Sequence, residues 1–446
     1  MINSRMICLE CIIDILENNS HSHSVLNDTL NIYQYLDKKD RAFITRLCVG
    51  TVERTIELDY IINQFSKVKT TKMKPVIRNI LRMSVYQIKY MDNVPTRAAI
   101  NEGVNLAVKK GFFNLKGFVN GVLRNIDRNI ENIKYPKEDT LEYYEVVYSM
   151  PRWIVDKWFK ELGKETTIKV LEGFLEDNST TSIRCNTSII DVDDLAEQLA
   201  KEATKVEKSP YCKEGLILSG YDYLGKINSF NKGLFYVQDV SSMVSVDACG
   251  IKENDYIIDV CAAPGGKAIT SALQLKSTGT VDARDISDKK VNYILDNIKR
   301  YGLKNVEVKV HDALEEDKDA IGKADIVIAD LPCSGLGVIG QKADIKYNVT
   351  PDKLDELAKL QKDILSVVSN YVKTGGVLVY STCTINKDEN LANVEWFKDN
   401  FDFELESLEP YVSAYIKDET VKEGYLNLLP GVHKTDGFFI ARFRKK

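Results

Sequence analysis

The sequence has no apolar stretch long enough to cross a lipid bilayer. No uninterrupted apolar run in the 446 residues approaches the roughly 18–20 residues that a spanning helix needs. The opening stretch, MINSRMICLECIIDILENN, has acidic residues within its apolar part and no small-residue cleavage site, so it does not match a signal peptide. Hydrophobic residues make up 44% and charged residues 28% of the chain, as in soluble globular proteins. We therefore expect a cytoplasmic protein without a membrane partner.

The sequence also lacks repeated cysteine pairs. Its nine cysteines are an odd number scattered over a long chain, which favours reduced thiols over a disulfide framework. The one C-x-x-C motif contains Cys8 and Cys11, and no second pair exists to complete a zinc site. This spacing places both thiols on one face of a helix. We favour a position in a helical core over metal binding, and we expect no metal.

Two common glycine-rich nucleotide motifs are missing as well. The stretch VCAAPGGK at 260–267 follows the apolar run Tyr256–Asp259 and predicts a buried strand, a tight turn and a helix. This layout offers backbone N–H groups to a ligand at the end of the first strand of an α/β sheet. Its spacing matches neither G-x-G-x-x-G nor G-x-x-x-x-G-K-[ST]. The expected ligand is therefore neither a dinucleotide nor a nucleoside triphosphate.

Positive charge is concentrated in one block of an otherwise acidic chain. The net charge is −5, yet residues 67–128 contain 13 Lys and Arg against 3 Asp and Glu, a local charge of +10. The remaining residues must then carry −15. Such a block is typical of a nucleic-acid contact. The alternative is a solvated helical face.

Hydrophobic periodicity divides the chain into four parts. Residues 1–130 predict a compact bundle of five to seven helices, with Asp40 as the candidate N-cap of the second long apolar run. Residues 131–150 are polar and weakly periodic, as in a linker. Residues 151–232 predict a small, RRM-like α/β subdomain. In residues 233–446, strands alternate with helices, which predicts a largely parallel sheet covered on both faces. Its predicted strands are Tyr256–Val260, Thr280–Ala283, Val306–Val310, Ile326–Ala329 and Val377–Tyr380.

Acidic residues fall near the ends of these strands. Asp259 lies in the first strand, and Asp285 follows the second. Asp312 and Asp330 come after the third strand and at the end of the fourth. An acid after the second strand typically accepts hydrogen bonds from a ribose diol. Asp285 could instead be only a helix cap, for which aspartate is common. Together with the turn at 260–267, the acids favour an adenosine site.

Two cysteines, Cys333 and Cys383, follow the fourth and fifth strands. Each could be a small buried residue, but polar, turn-forming neighbours favour exposure to a cleft. A thiolate that adds to C6 of a pyrimidine makes C5 nucleophilic toward an electrophilic methyl group, and the C5 proton must then be removed. Asp330 is a candidate for hydrogen bonding to the cytosine N3/N4 edge. Lys267 is a candidate for supplying positive charge, although it could also be a solvated lysine.

Four motifs resemble those of the Sun (Fmu) family of RNA cytosine-5 methyltransferases. They are DVCAAPGGK at 259–267, DLPCSGLG at 330–337, TGGVLVYSTCT at 374–384 and LPGVHKTDGFF at 429–439. The run TRAAINEGVNLAVKKGFFNLKGFVNGVLRNID at 96–127 is similar to the NusB-like RNA-binding domain. A NusB-like bundle joined to a Sun-type catalytic half resembles the bacterial 16S rRNA cytosine-5 methyltransferases.

The resemblance implies a multidomain protein with an all-α NusB-like bundle, a small α/β subdomain and a Rossmann-like methyltransferase domain. It implies S-adenosyl-L-methionine as the cofactor, with S-adenosyl-L-homocysteine as its product. The implied partner is 16S rRNA with a single-stranded or extruded cytosine, of the family's cytosine-967 type. A tRNA or 23S rRNA is the alternative substrate, and a non-catalytic NusB-like RNA-binding factor is the remote alternative. We expect a monomer.

The resemblance also implies roles for individual residues. The cofactor loop corresponds to Cys261, Ala262, Ala263, Pro264, Gly265, Gly266 and Lys267. The ribose-binding acid corresponds to Asp285, the adenine-side acid to Asp312 and the strand-four acid to Asp330. The nucleophile corresponds to Cys383, and the cysteine that assists product release corresponds to Cys333. In the DNA cytosine-5 methyltransferases, by contrast, the cysteine of the PC motif is the one that attacks. The choice of Cys383 as the nucleophile therefore depends on the family resemblance alone.

Overall fold

The computed structural model describes residues 3–176, 180–202 and 204–446. Two compact units can be distinguished in this part of the chain. The first contains the residues up to Leu175 together with Ile339–Asn348, and the second contains Glu176–Val338 and Val349–Lys446. Among the described residues, no helix combines the length and the apolar character needed to cross a membrane.

The first unit is helical, as predicted for residues 1–130. Cys8 and Cys11 belong to its core of buried apolar side chains, in agreement with the core interpretation of their motif. The segment 131–150, which was expected to be a linker, contains a helix. In chain order the α-helices are α1 (Ser4–Leu16), α2 (Ser22–Ile32), α3 (Lys38–Glu53), α4 (Thr55–Phe65), α5 (Pro75–Tyr90), α6 (Thr96–Lys109), α7 (Lys116–Arg128), α8 (Leu141–Val147), α9 (Arg152–Glu161) and α10 (Lys164–Gly173).

Helix α3 is capped by Asp37 and not by Asp40. The Asp37 side chain accepts a hydrogen bond from the Asp40 N–H at 2.8 Å, which makes Asp40 the third residue of the helix. The predicted cap was therefore wrong by three residues. Both positions suit aspartate, because a carboxylate at the cap accepts orphan N–H groups and one in the first turn faces the positive end of the helix dipole.

The second unit begins with a small antiparallel sheet in the strand order β2-β3-β1-β4. Apolar side chains from its strands and from the following helix, such as Ile183, Leu195 and Leu216, form its core. The elements are β1 (Thr181–Cys185), α11 (Val192–Lys201), β2 (Lys205–Lys208), β3 (Gly215–Ser219), α12 (Asn228–Asn231), β4 (Phe235–Val237) and α13 (Val240–Asp247).

The larger sheet has the predicted alternation of strands and helices. Its parallel strands lie in the order β7-β6-β5-β8-β9. Strands β6 and β7 lie on one side of β5, and the later strands β8 and β9 lie on the other. A topological switch point therefore lies between β5 and β8. The elements are β5 (Tyr256–Asp259), α14 (Gly266–Gln274), β6 (Thr280–Asp285), α15 (Asp288–Tyr301), β7 (Val306–Val310), β8 (Ala324–Asp330), α16 (Ile345–Asn348), α17 (Pro351–Val368) and β9 (Val372–Thr382).

Three further strands that the periodicity did not predict complete this sheet. The last of them, β12, runs antiparallel to β9 and also pairs with β10 and β11. The elements are α18 (Leu391–Asn400), β10 (Phe403–Leu405), α19 (Thr420–Glu423), β11 (Tyr425–Leu428) and β12 (Phe438–Lys445).

One short segment that lies between β8 and α17 in the chain folds within the helical unit. In this segment, Ile339–Asn348, the Lys346 Nζ donates a hydrogen bond to the Glu53 carbonyl oxygen at 2.8 Å. The Tyr347 hydroxyl donates to the Val52 carbonyl at 3.0 Å. Lys346 is buried, and this burial lowers its pKa to about 7, although the negative charge of Glu53 acts to raise it.

Candidate active site

Three loops meet at the carboxyl edge of the large sheet, beside the switch point. They follow β5, β8 and β9 and carry the motifs at 259–267, 330–337 and 381–384. Asp330 pairs with Ser381 across the last two of these strands, and the Leu331 N–H donates to the Ser381 carbonyl at 3.0 Å. Loops at this edge form the usual ligand site of open α/β sheets.

The loop after β5 presents backbone N–H groups. Gly265 has a φ of 109°, in the left-handed region that favours glycine, and it immediately precedes α14. Its N–H donates to the Ala262 carbonyl at 2.7 Å and closes the turn. No side chain among the described residues caps α14. The N–H groups of its first turn can therefore bind a polar or anionic ligand.

Asp285 lies beside this loop and does not cap a helix. It ends β6, is buried, and accepts hydrogen bonds from the N–H groups of Ala263 (3.0 Å) and Ile286 (2.8 Å). The Lys290 Nζ is 3.0 Å from Asp285 Oδ1, the oxygen that also accepts from the Ile286 N–H. The N-cap of the following helix is Ser287, so the interpretation of Asp285 as a helix cap is wrong. A carboxylate has about four acceptor positions, so one remains for a ligand hydroxyl.

Asp312 lies at the neighbouring strand end. Strands β6 and β7 pair with Asp285 opposite Val310, and the His311 N–H donates to the Asp285 carbonyl at 2.9 Å. The Asp312 carboxylate accepts a hydrogen bond from the Leu314 N–H at 2.9 Å. The fold thus brings Asp285 and Asp312 to adjacent strand ends.

Lys267 is not a solvated lysine. Its side chain is 11% exposed, and its Nζ donates to Asp330 Oδ2 at 2.6 Å and lies 5.2 Å from the centre of the Phe438 ring. The other oxygen of Asp330 accepts a hydrogen bond from the Ser381 hydroxyl at 2.9 Å. Burial lowers the pKa of Lys267, but the Asp330 carboxylate raises it, and the net shift is upward. Lys267 is therefore a cation that joins the loops after β5 and β8.

Cys333 and Cys383 lie side by side. Their Sγ atoms are 3.3 Å apart, and both residues are half-buried. The hydrogen bond with Cys383 and burial raise the pKa of Cys333 well above its usual range. Cys333 is therefore a protonated thiol at neutral pH. No disulfide joins any of the nine cysteines, all of which are among the described residues.

The loop after β8 crosses the start of β12 at two glycines. The Gly437 N–H donates to the Gly337 carbonyl at 2.8 Å, and the Gly337 N–H donates to the Cys383 carbonyl at 3.1 Å. A Cβ atom on Gly337 would lie 2.0 Å from the Gly437 carbonyl oxygen. Only glycine fits there without moving backbone. The motif at 429–439 therefore contributes backbone that fixes both cysteine loops.

One buried acid of this site was not predicted from the sequence. Glu389 lies between β9 and α18, is fully buried, and accepts hydrogen bonds from Ser334, Gln361 and Asn386. It occurs in the polar run TINKDEN, where an acid is normally expected on the surface. Nothing in a single sequence distinguishes it from its neighbours.

A group of potential metal ligands in the second unit lies against an arginine side chain. Among the described residues, the donor atoms of Cys212, Glu214 and Asp247 lie within 4.8 Å of one another. The Arg184 guanidinium is 3.2 Å from the Glu214 carboxylate and 3.1 Å from that of Asp247. An arginine side chain therefore supplies the positive charge at this place.

The basic block of the first unit divides into paired and exposed residues. Arg78 and Arg82 form ion pairs with Glu17 and Asp59, so these two stabilise the bundle. The exposed basic residues are Lys67, Lys69, Lys72, Lys74, Arg97, Lys109, Lys116, Arg124 and Arg128.

Known proteins match the chain in three consecutive regions. Residues 248–444 match the family model 16S rRNA methyltransferase RsmB/F, and residues 2–128 match the NusB family. Residues 150–221 match the ferredoxin-like domain of RsmF/B-like methyltransferases. A probable ribosomal RNA small subunit methyltransferase B from Bacillus subtilis (strain 168) is 35% identical over 445 residues, 99% of this chain and 98% of the relative. The chain belongs to the RsmB/F methyltransferase family.

Solved structures share the fold of this RsmB/F family member. The crystal structure of PH0851 is 25% identical with a TM-score of 0.84 and covers 100% of this chain and 99% of its own. The crystal structure of NSun6 from Pyrococcus horikoshii with SFG is 26% identical with a TM-score of 0.59, covering 67% of this chain and 99% of its own. The resemblance to the Sun (Fmu) family and the predicted fold class are confirmed.

The predicted cofactor, S-adenosyl-L-methionine, is that of the RsmB/F family. The edge of the large sheet fits this molecule in two respects. The uncapped start of α14 can accept its carboxylate. The remaining acceptor position of Asp285 suits a ribose hydroxyl.

Proposed function

We propose that this protein methylates C5 of a cytosine in 16S rRNA, with Cys383 as the nucleophile. The observation that carries the proposal is the pair of thiols 3.3 Å apart in a member of an rRNA methyltransferase family. The relatives named for the small ribosomal subunit support 16S rRNA as the substrate. We further propose cytosine 967 as the position.

In this proposal the cofactor is held by the loop 261–267 and by the acids at the neighbouring strand ends. The N–H groups at the start of α14 bind its carboxylate, Asp285 binds the ribose and Asp312 lies on the adenine side. Asp330 borders the same loop through its contact with Lys267. When bound, S-adenosyl-L-methionine supplies an electrophilic methyl group.

The chain's own residues activate the base. The Cys383 thiolate forms a bond to C6, and the electron pair of the C5=C6 bond moves so that C5 becomes nucleophilic. Negative charge builds on the ring at the N3/N4 edge. Asp330 holds that edge by accepting a hydrogen bond from the N4 amino group, and the charge on the largely buried Lys267 side chain offsets the negative charge on the ring.

Product release requires loss of the C5 proton. Once C5 carries the methyl group, a base removes this proton, its electron pair re-forms the C5=C6 bond, and Cys383 leaves as a thiolate. Cys333 assists this step in the proposal. The 3.3 Å between the two Sγ atoms supports this role, because it places Cys333 beside the thiol that must leave.

The target cytosine must be single-stranded or extruded from its helix, because C6 is not accessible in a stacked duplex. The exposed lysines and arginines of residues 67–128 would contact the phosphates of the surrounding RNA. These contacts position the substrate and make binding depend on salt concentration.

The substrate and product can be tested together. Purified wild-type protein is incubated with S-adenosyl-L-methionine and, separately, with 16S rRNA, 23S rRNA and tRNA, and the nucleosides are analysed by mass spectrometry. We expect 5-methylcytidine in 16S rRNA alone, mapped to one cytosine by bisulfite sequencing, and none with Cys383→Ala. Product in only tRNA or 23S rRNA would establish the alternative substrate. RNA binding without any methylation would favour the non-catalytic RNA-binding factor.

A further inference from the structure

We propose that Glu389 is a positioning residue that holds the Cys333 loop in the arrangement needed for product release. Glu389 is fully buried in the turn between β9 and α18, close to both cysteine loops in the hydrogen-bond network. The inference rests on the proposed roles of Cys383 as the nucleophile and Cys333 as the thiol that assists release.

Each oxygen of the Glu389 carboxylate accepts two hydrogen bonds. Oε1 accepts hydrogen bonds from the Ser334 hydroxyl at 2.5 Å and from Asn386 Nδ2 at 3.0 Å. Oε2 accepts them from the Ser334 N–H at 2.8 Å and from Gln361 Nε2 at 3.0 Å. Four donors from three separate parts of the chain therefore converge on one buried side chain.

These hydrogen bonds hold both chain neighbours of Cys333. Ser334 follows Cys333 directly and supplies two of the four donors to Glu389. The same Gln361 amide that contacts Glu389 also donates to the carbonyl of Pro332, the residue before Cys333, at 2.9 Å. The position of the Cys333 thiol is thereby tied to the carboxylate, although Glu389 is not itself hydrogen-bonded to the thiol.

Cys383 is also linked to this network, because the Ser334 hydroxyl lies 2.8 Å from Thr384 Oγ1, but it has supports that do not involve the Glu389 carboxylate. The Asn390 Nδ2 donates to the Thr384 carbonyl at 2.8 Å, and the Thr382 hydroxyl donates to Asn390 Oδ1 at 2.6 Å. The Gly337 N–H holds the Cys383 carbonyl at 3.1 Å. Loss of the Glu389 contacts should therefore displace Cys333 more than Cys383.

Glu389→Gln tests this difference. In the glutamine side chain an NH2 group replaces one of the two carboxylate oxygens. The two donors that had bonded to that oxygen then face another donor, and all three are buried without an acceptor. Attack by Cys383 should persist while release is impaired. We expect a covalent protein–RNA adduct to accumulate with 16S rRNA and S-adenosyl-L-methionine, as we also expect when Cys333 itself is replaced by alanine. The kcat should fall by about 100-fold, as for a misplaced reacting group, and the KM for 16S rRNA should fall with it, because a covalent intermediate that accumulates before slow release lowers KM.

Glu406→Gln is the matched control. Glu406 is a carboxylate of the same unit that accepts hydrogen bonds from Arg442 and Arg444 of β12 and none from the cysteine loops. It should form no adduct even if its stability falls. Ser334→Ala, which removes the hydroxyl donor and keeps the backbone N–H, should accumulate a smaller amount of adduct, and it carries the test if Glu389→Gln does not fold.

Adduct in Glu389→Gln or Ser334→Ala, but not in Glu406→Gln, would support the proposed role. Wild-type turnover in folded Glu389→Gln, or loss of methylation without an adduct as expected for Cys383→Ala, would overturn it. If Glu389→Gln does not fold, the absence of adduct in folded Ser334→Ala would also overturn it. Failure of the proposed function itself is recognised separately, by absence of 5-methylcytidine with the wild-type protein.

Discussion

Lys346 is a lysine that the fold keeps out of water. Only 2% of it is exposed, and its Nζ is hydrogen-bonded to the Glu53 carbonyl. Burial lowers its pKa to about 7, the nearby Glu53 opposes this shift and Arg54 adds to it. Because a buried ammonium group loses its hydration, the folded protein favours the neutral amine.

This shift makes stability depend on pH in a defined direction. Between about pH 7 and 10.5 the unfolded chain binds more protons at Lys346 than the folded chain, so stability rises with pH in that window. The slope is at most about 1.4 kcal/mol per pH unit. We expect Lys346→Met to be more stable than the wild type at pH 7, with a difference that shrinks toward pH 10. Urea unfolding of both proteins at several pH values measures it. A difference that does not change with pH would show that Lys346 stays charged in the fold.

Site residues could be predicted where they belong to contiguous motifs. Cys333, Cys383 and the loop 261–267 were found because short stretches with a defined chemistry surround them. Glu389 could not be found in this way. Its partners Ser334 and Gln361 are 55 and 28 residues away in the chain, so its environment exists only after folding.

Elements were predicted well where their pattern is local. The predicted strand Val306–Val310 agrees with β7, and the other four predicted strands overlap β5, β6, β8 and β9. Strand β12 was missed because its Phe438–Phe443 part is almost entirely buried. A buried strand shows no alternation of apolar and polar residues, and such a run cannot be assigned by periodicity alone.

The crossing of the β8 loop and β12 leads to a prediction at the level of elements. Gly337→Ala would place a Cβ 2.0 Å from the Gly437 carbonyl oxygen and 2.8 Å from that of Cys383. The backbone must move, so we expect stability to fall by about 1–3 kcal/mol and kcat by about 100-fold. Thermal unfolding and a methylation assay measure the two effects.

Gly121→Ala provides the control for that substitution. A Cβ on Gly121 in α7 meets nothing within 4 Å, so this variant should gain up to about 1 kcal/mol from its better helix propensity and keep its activity. Equal effects of the two alanines on stability would contradict the close approach at Gly337.

At the scale of the whole molecule, positive and negative charges are unevenly distributed along the chain. The acidic chain carries an exposed set of basic residues on its helical unit, which we expect to bind RNA phosphates. The segment Ile339–Asn348 shows what sequence could not predict at this scale. It follows the Cys333 motif in the chain, yet its partners are Val52 and Glu53, almost 300 residues earlier.

RNA affinity tests the role of the basic block. Replacing Lys69, Lys72 and Lys74 by glutamine should weaken 16S rRNA binding and reduce the slope of log affinity against log salt by about 2, at roughly 0.7 per lost phosphate contact. Glutamine at Lys160, Lys164 and Lys169, whose charges are balanced by acidic neighbours, should change it little. Equal slopes for both triple variants would favour a merely solvated face.

The central claim is that two neighbouring thiols divide the reaction, with Cys383 attacking the base and Cys333 assisting its release. Cys333→Ala and Cys383→Ala are each incubated with 16S rRNA and S-adenosyl-L-methionine, and covalent protein–RNA species are resolved on a denaturing gel. We predict that Cys333→Ala accumulates the adduct and that Cys383→Ala forms none. The reverse pattern, or full methylation by both variants, would contradict the claim.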